Sequence, residues 1–351
     1  MALTSIHNVK ITAISACVPK KSESNLDYDL LSDSEKKLLV KTTGIENRRV
    51  AHAGMCTSDL CFESAEQIIK EYKINREEID VLIFVSQTLD YFLPATSIIL
   101  QDRLKLSKNT LAFDIVLGCS GYVYGLSVIS SLMSNGNFKK GLLLVGDKST
   151  FSLSKEDKST YPLFGDAGTA TYIEYDPNAT PIDFNLQSDG SGFKAIMIPD
   201  GGTRSPWTKQ TDKKIELEKG VKRNMRNLWL DGIEVFNFSI REAPTNVLAL
   251  LDYNKTTIED YDYVVFHQAN KLMNECIRKK IKASIEKVPY TLKDFGNTSS
   301  ASIPLTMVVE LGSKLQQESN IILSAFGVGL SWGSAAIKNA KINCLPLIEL
   351  E

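Results

Sequence analysis

The sequence predicts an α/β fold built on buried, largely parallel sheets and made of two similar halves. Three observations carry that prediction. Short runs of Val, Ile and Leu alternate with amphipathic stretches, as strands covered by helices do. The chain also repeats itself: "EEIDVLIFVSQT" (77–88) has a counterpart in "IEDYDYVVFHQAN" (258–270), each with an acidic lead-in, an Asp, apolar residues and a Phe. In the same order, "FKKGLLLVGD" (138–147) can be set beside "ESNIILSAFGVG" (318–329). This places a seam near residues 175–185, around "YDPNATP", and divides the chain into halves at 1–178 and 179–351.

The elements follow in order. "VKITAISACVP" reads as a first strand, and "TSDLCFESAEQIIKEYKI" as a helix capped by Thr57 or Ser58. "DVLIFVS" is a buried strand, "ATSIILQDRLKL" a helix, and "LAFDIV" and "GLLLVGDKS" are strands. Residues 202–226, "GTRSPWTKQTDKKIELEKGVKRNMR", are rich in Lys and Arg and lack apolar periodicity. They read as an exposed excursion, either a solvated loop or a contact for an acidic partner.

A chain of 351 residues has room for this duplication, and 43% hydrophobic with 23% charged residues is an ordinary globular composition. A net charge of −2 leaves no basic excess to neutralise phosphates, which argues against a general nucleic-acid binder. No run approaches the roughly 18 apolar residues of a membrane span. The start, "MALTSIHNVKITAISACVP", lacks the basic segment and apolar core of a secretory signal. A cytoplasmic protein is expected. Six cysteines without CxxC spacing and only three histidines predict reduced thiols and no metal site.

Chemistry concentrates in a few places. Cys119, in "AFDIVLGCSGYVYGL" (112–126), follows a strand and opens a helix-like pattern in which Leu126, Ile129 and Met133 share a stripe. A helix start favours a thiolate over a thiol, so Cys119 is a candidate nucleophile. It is equally readable as a small buried hydrophobe. His267 ends the strand "DYVVF" and begins "HQAN", where a parallel sheet exposes functional groups. The plain reading is a histidine satisfied by a backbone carbonyl. Asn297 lies in a tight loop, "DFGNTSSASIPL", where asparagine is common for local hydrogen bonding. "NKLMNECIRKKIK" (270–282) supplies Lys271, Arg278, Lys279, Lys280 and Lys282, either a solvated helix face or a docking surface.

Together, "GCSGYVYGL", "FGDAGTA" (164–170), "HQAN", "FGNTSSASIPL" and "AFGVGLSWGSA" (325–335) closely resemble the β-ketoacyl-acyl-carrier-protein synthase III family. The resemblance runs in unbroken order from "TTGIENRR" (42–49) to nearly the C-terminus. It implies the thiolase-like duplicated fold, five layers stacked αβαβα, in a homodimer with an active site at the end of a tunnel. It implies a catalytic triad of Cys119, His267 and Asn297, with the backbone N–H groups of Cys119 and Val328 as oxyanion hole. Phe326 matches a shielding phenylalanine, Gly327 and Gly329 belong to the substrate loop, and Leu93 matches a residue that closes the primer pocket across the dimer.

The implied reaction transfers an acyl primer to Cys119 and condenses it with malonyl-acyl-carrier protein, with loss of carbon dioxide. No cofactor is bound permanently; the substrates are acyl-coenzyme A or acyl-acyl-carrier protein and the malonyl carrier. The carrier protein would dock near Lys271, Arg278 and Lys279. One departure stands out: the tryptophan and arginine that sandwich adenine in the family are Leu38 and Thr42 here, so a carrier-borne primer, or coenzyme A bound differently, becomes the expectation.

Other uses of the fold fit less well. "GVGLSWG" lacks the second cysteine of a thiolase and the GFGPG of a chalcone synthase, and "DIVLGCSGY" lacks the nearby glutamate of a hydroxymethylglutaryl-CoA synthase. An acyltransferase passing the acyl group to oxygen or nitrogen would keep Cys119 and His267 and remains the alternative. A non-catalytic partner subunit typically loses the nucleophile, which is retained here.

Overall fold

The computed structural model describes residues 2–351. Its elements begin with β1 (Ala2–Ile6), β2 (Val9–Pro19), α1 (Asp33–Thr43), α2 (Thr57–Glu71), β3 (Val81–Val85) and α3 (Thr96–Arg103). β4 (Leu111–Ile115), α4 (Gly121–Met133), β5 (Lys140–Lys148) and β6 (Asp166–Tyr175) follow. Beyond them come β7 (Ile182–Ser188), α5 (Gly232–Tyr253), β8 (Tyr263–Phe266), α6 (Lys271–Lys280) and α7 (Ser302–Leu311). β9 (Ser319–Gly327), β10 (Ser331–Ala340), β11 (Asn343–Cys344) and β12 (Ile348–Leu350) close the chain.

The duplication is visible in the strand order. One sheet runs β11–β2–β6–β5–β3–β4, with β12 also on β2; the other runs β1–β7–β10–β9–β8. β2–β6–β5–β3 and β7–β10–β9–β8 then correspond step for step: antiparallel, antiparallel, parallel. One strand of each set, β6 or β10, runs against the rest, so the sheets are mixed rather than wholly parallel. Five layers result, because each strand's side chains alternate between two apolar clusters. Val81, Ile83 and Val85 of β3 face α4 and α7 between the sheets, while Leu82 and Phe84 face α2 and α3 outside. In the second sheet, Ile321, Leu323 and Ala325 of β9 face the middle layer, and Ile322 and Phe326 face α5 and α6. Strands buried on both faces explain the unbroken apolar runs.

The termini cross between sheets: β1 pairs with β7 of the second, and β11 and β12 pair with β2 of the first. Two local expectations shift. α2 is capped at Cys56, because Thr57 and Ser58 turn their hydroxyls to Thr88 and Asp90 (2.7 and 2.8 Å) while Asp59 accepts the Cys56 N–H (2.7 Å). The 202–226 excursion holds a two-stranded ribbon, Ile215–Glu218 with Val221–Arg223, and its base is docked. There Ser154 Oγ donates to the Lys222 carbonyl (2.6 Å), and the buried Arg223 lies 3.4 Å from buried Asp157. No helix among the described residues is long and apolar enough to cross a membrane.

Candidate active site

Cys119, His267 and Asn297 come from three separate segments and line one cavity of about 550 Å³. Cys119 sits in the turn between β4 and α4, where the Gly121 N–H donates to the Gly118 carbonyl at 2.6 Å. The helix proper starts at Gly121, so the thiol precedes it by two residues. Against the expectation of a stabilised thiolate, burial pushes the Cys119 thiol up to about 11, with the Asp147 carboxylate adding to the shift. The Val328 N–H, the Ser299 hydroxyl and the Cys119 N–H oppose it without overcoming it, because desolvation penalises the charged form most.

The motif "HQAN" divides its labour. His267, at the end of β8, receives its place from its N–H to the Ser324 carbonyl (2.8 Å). Gln268 bonds the Phe266 carbonyl (2.9 Å) and the Thr291 N–H (3.1 Å), and Asn270 caps α6 through the Met273 N–H (2.8 Å). The His267 ring is fixed by Ser302 Oγ at 2.7 Å from Nδ1 and by the Phe326 ring, which packs perpendicular to it with centroids 5.6 Å apart. Burial lowers its pKa to about 3, so the ring is neutral at physiological pH.

Asn297 is held by its backbone, bonded to Leu163 (2.9 Å) and Gly165 (3.0 Å). Its Oδ1 accepts the Ser299 N–H at 2.9 Å. That assigns the amide so that its NH₂ end is left to donate. In the cavity wall, buried Asp147 at the end of β5 accepts from Ser86 Oγ (3.1 Å), the Gln87 N–H (2.8 Å) and the N–H and Oγ of Ser300 (3.2 and 2.6 Å). This carboxyl clamps the ends of β3 and β5 to the loop carrying Asn297. Opposite, Ser331 Oγ bonds the Val328 carbonyl (2.8 Å) and Ser120 Oγ (2.7 Å), which fixes the loop whose N–H meets the thiol. A Cβ at Gly327 would lie 2.5 Å from Cys119 Cβ, so only glycine lets β9 end here.

A thiol, a neutral imidazole and an oriented amide around one cavity, with backbone donors at the sulfur, suit acyl transfer through a covalent thioester. Comparison with known proteins agrees. Residues 113–190 match the family described as 3-oxoacyl-[acyl-carrier-protein] synthase III, and residues 251–339 match its C-terminal counterpart. A β-ketoacyl-[acyl-carrier-protein] synthase III of Aliarcobacter butzleri is 34% identical over 336 residues, covering 94% of this chain and 97% of the relative. The chain belongs to the β-ketoacyl-acyl-carrier-protein synthase III family. A second synthase III, from Caldanaerobacter subterraneus subsp. tengcongensis, is 32% identical over 92% of this chain and 96% of its own. The crystal structure of a 3-oxoacyl-(acyl-carrier protein) synthase from Burkholderia xenovorans superposes with a TM-score of 0.93 at 36% identity, covering 99% of both chains. The protein is therefore an acyltransferase of the condensing-enzyme type with the thiolase-like fold.

In this synthase III family member, Phe326, Gly327 and Val328 line the cavity with the triad, and Gly329 does not. Leu93 does not reach its own chain's cavity either: it is 82% exposed, beside Phe92 at 91%. Lys271 and Lys279 are exposed on α6, whereas Arg278 is drawn into Glu275 (2.7 Å) and the Ala283 carbonyl (2.7 Å). Sequence reasoning missed Asp147, Ser299, Ser300 and Ser302. An Asp closing the apolar run of β5 was the available signal, since it stands where a strand's end meets a site. It also missed the apolar wall, Ile196–Ile198 with Leu228 and Leu230, which flanks the excursion.

Proposed function

We propose that this synthase loads an acyl primer on Cys119 and condenses it with malonyl-acyl-carrier protein. The thiol sulfur attacks the primer thioester, the carrier thiolate leaves, and the thiol proton passes to it. The N–H groups of Val328 and Cys119 stabilise the sulfur as it loses its proton, and later the oxyanion of the acyl carbonyl. The malonyl group then loses carbon dioxide, and the bond's electron pair becomes an enolate. A neutral His267 donating from Nε2 and the NH₂ of Asn297 hold the enolate oxygen. The carbanion attacks the acyl carbonyl, the tetrahedral oxyanion collapses, and Cys119 leaves as a thiolate that takes up a proton from water as the β-ketoacyl carrier forms. Each donor of this kind is worth on the order of 3 kcal/mol.

The convergence of Cys119, His267 and Asn297 on one cavity carries this reading. The halves at 1–178 and 179–351 would supply the nucleophile and the two enolate donors respectively. We read the assembly as a homodimer in the cytoplasm: β4 is an edge strand, and exposed Phe92, Leu93 and Val116 lie in the segments beside it. Leu93 would then close the partner's primer pocket. The primer donor is read as carrier-borne. Leu38 is 60% exposed and has no aromatic face, and the Thr42 hydroxyl turns back to the Leu38 carbonyl (2.8 Å), so neither offers adenine a stacking partner or a cation. No cofactor is required by any step.

Intact-protein mass spectrometry tests the reading, with acyl thioesters from acetyl to octanoyl presented on coenzyme A and on carrier protein. An adduct lost in Cys119→Ala, and formed faster from carrier protein, is expected. An adduct that persists in Cys119→Ala would overturn the assignment of the nucleophile; fast acetylation from acetyl-coenzyme A alone would overturn the carrier-borne primer.

A further inference from the structure

Ser302 is the first residue of α7, 1% exposed, and does not itself line the cavity. Its hydroxyl meets two groups: His267 Nδ1 at 2.7 Å and the backbone N–H of Gln268 at 3.3 Å. The second contact decides the first. Gln268 N–H can only donate, so it occupies a lone pair of the Ser302 oxygen. Among the described residues no carbonyl or carboxylate accepts from Ser302, which leaves its single proton for Nδ1. A ring nitrogen that accepts carries no proton, and a neutral imidazole then bears its proton on the other nitrogen. We infer that Ser302 is a positioning residue that fixes His267 as the Nε2–H tautomer, the form that presents a donor to the cavity.

The arrangement is held from every side. The backbone of His267 is anchored through its N–H to Ser324 (2.8 Å) and through its carbonyl to Asn274 Nδ2 (3.0 Å), and the buried ring is packed against Phe326. Ser302 is pinned in the helix, where its carbonyl accepts from Thr306 Oγ1 at 2.8 Å. The reverse tautomer would make Ser302 an acceptor twice over and leave its own proton buried without an acceptor. The Phe326 ring packs perpendicular to the imidazole, and besides burial the one influence on the ring's titration is a hydrogen bond to the backbone of Ser299. No charged side chain contributes to the shift of its titration.

The catalytic consequence rests on the reading of His267 as an enolate donor, while the tautomer itself does not. The chain has three histidines, so ring ¹⁵N labelling gives three ring systems, and His267→Gln identifies one. In the wild-type protein the signal of His267 should show a protonated Nε2 and a bare, accepting Nδ1. In Ser302→Ala the two nitrogens should move toward each other as the tautomers mix, and Ser302→Thr should restore the wild-type pattern. Malonyl-carrier decarboxylation should fall about tenfold in Ser302→Ala, less than the roughly 10²–10³ for losing a donor outright. KM and the rate of Cys119 acylation should stay within about twofold, since neither uses Nε2 in the way the enolate step does. A proton on Nδ1 in the wild-type spectrum would overturn the inference whether or not the variants fold. So would a Ser302→Ala protein with unchanged tautomer and rate. If His267→Gln decarboxylates normally, the donor reading fails while the tautomer assignment stands.

Discussion

Gly327 ends β9 against the nucleophile, and replacing it with alanine puts a quantified load on the site. The added Cβ would lie 2.5 Å from Cys119 Cβ and 2.7 Å from Sγ. Comfortable carbon contacts begin near 3.5 Å, so something must retreat by roughly 1 Å. Neither side can yield cheaply. Cys119 Cβ is one bond from a backbone held in the turn before α4, and Gly327 is paired with Ser331 across the β9–β10 ladder. Overpacking of this size costs about 1–3 kcal/mol. The same shift parts the Val328 N–H from the sulfur, and a displacement near 1 Å at a reacting centre costs about 10²-fold. Gly327→Ala should therefore fold, lose about 1–3 kcal/mol in urea unfolding, and acylate Cys119 about a hundredfold more slowly by timed intact-mass measurement. Gly202→Ala is the control, because no atom lies within 4 Å of its Cβ position. Acylation of Gly327→Ala at the wild-type rate with unaltered stability would show that the close approach has no energetic weight.

Four further outcomes follow from the same geometry. His267 titrates at about 3 when folded against 6.5 when unfolded, so between those values the unfolded chain binds the extra proton. Stability is then lost as pH falls, by up to about 1.4 kcal/mol per unit, or about 2 kcal/mol from pH 7 to 5. His267→Asn should lose that much less over the same interval in urea titrations; identical curves would refute the burial argument. Cys119, at about 11 against an ordinary 9.0, should alkylate about a hundredfold more slowly at neutral pH than an ordinary thiol. Its rate should climb tenfold per unit up to pH 10, and a plateau below pH 9 by site-resolved mass spectrometry would contradict this. Charge reversal at Lys271 or Lys279 should raise KM for malonyl carrier about threefold or more while leaving acylation from acyl-coenzyme A unchanged, as expected for docking charges. Arg278→Glu should instead lower the unfolding midpoint, because it breaks the Arg278–Glu275 pair on α6.

Much of this protein could be read before any fold was known, for identifiable reasons. The apolar runs of β3, β5, β8 and β9 are buried on both faces, so their composition alone marks them, and their repetition in order foretold the matching sheets. Cys119, His267 and Asn297 each stand at a strand's end or a tight loop, yet singly they read as well as core, satisfied or turn residues; the ordered set of motifs, by its resemblance to the family, singled them out. What sequence could not reach was anything depending on two distant segments at once. Nothing in "VGDKS" and "TSSAS" says that Asp147 and Ser300 will meet 2.6 Å apart.

The protonation of the site belongs to that second category. A cysteine near a helix start reads as acidic, yet Cys119 is driven the other way because packing removes water and brings Asp147 close. A lone histidine says nothing of its tautomer; that is decided by Ser302, 35 residues on in sequence. Chain termini that exchange sheets were likewise invisible, since "ALTSI" and "NC" are too short to announce strands. Local composition determined which residues were built to be strands, turns and chemistry. Tertiary packing decided their electrostatics, because desolvation and hydrogen-bond partners exist only once the segments are brought together.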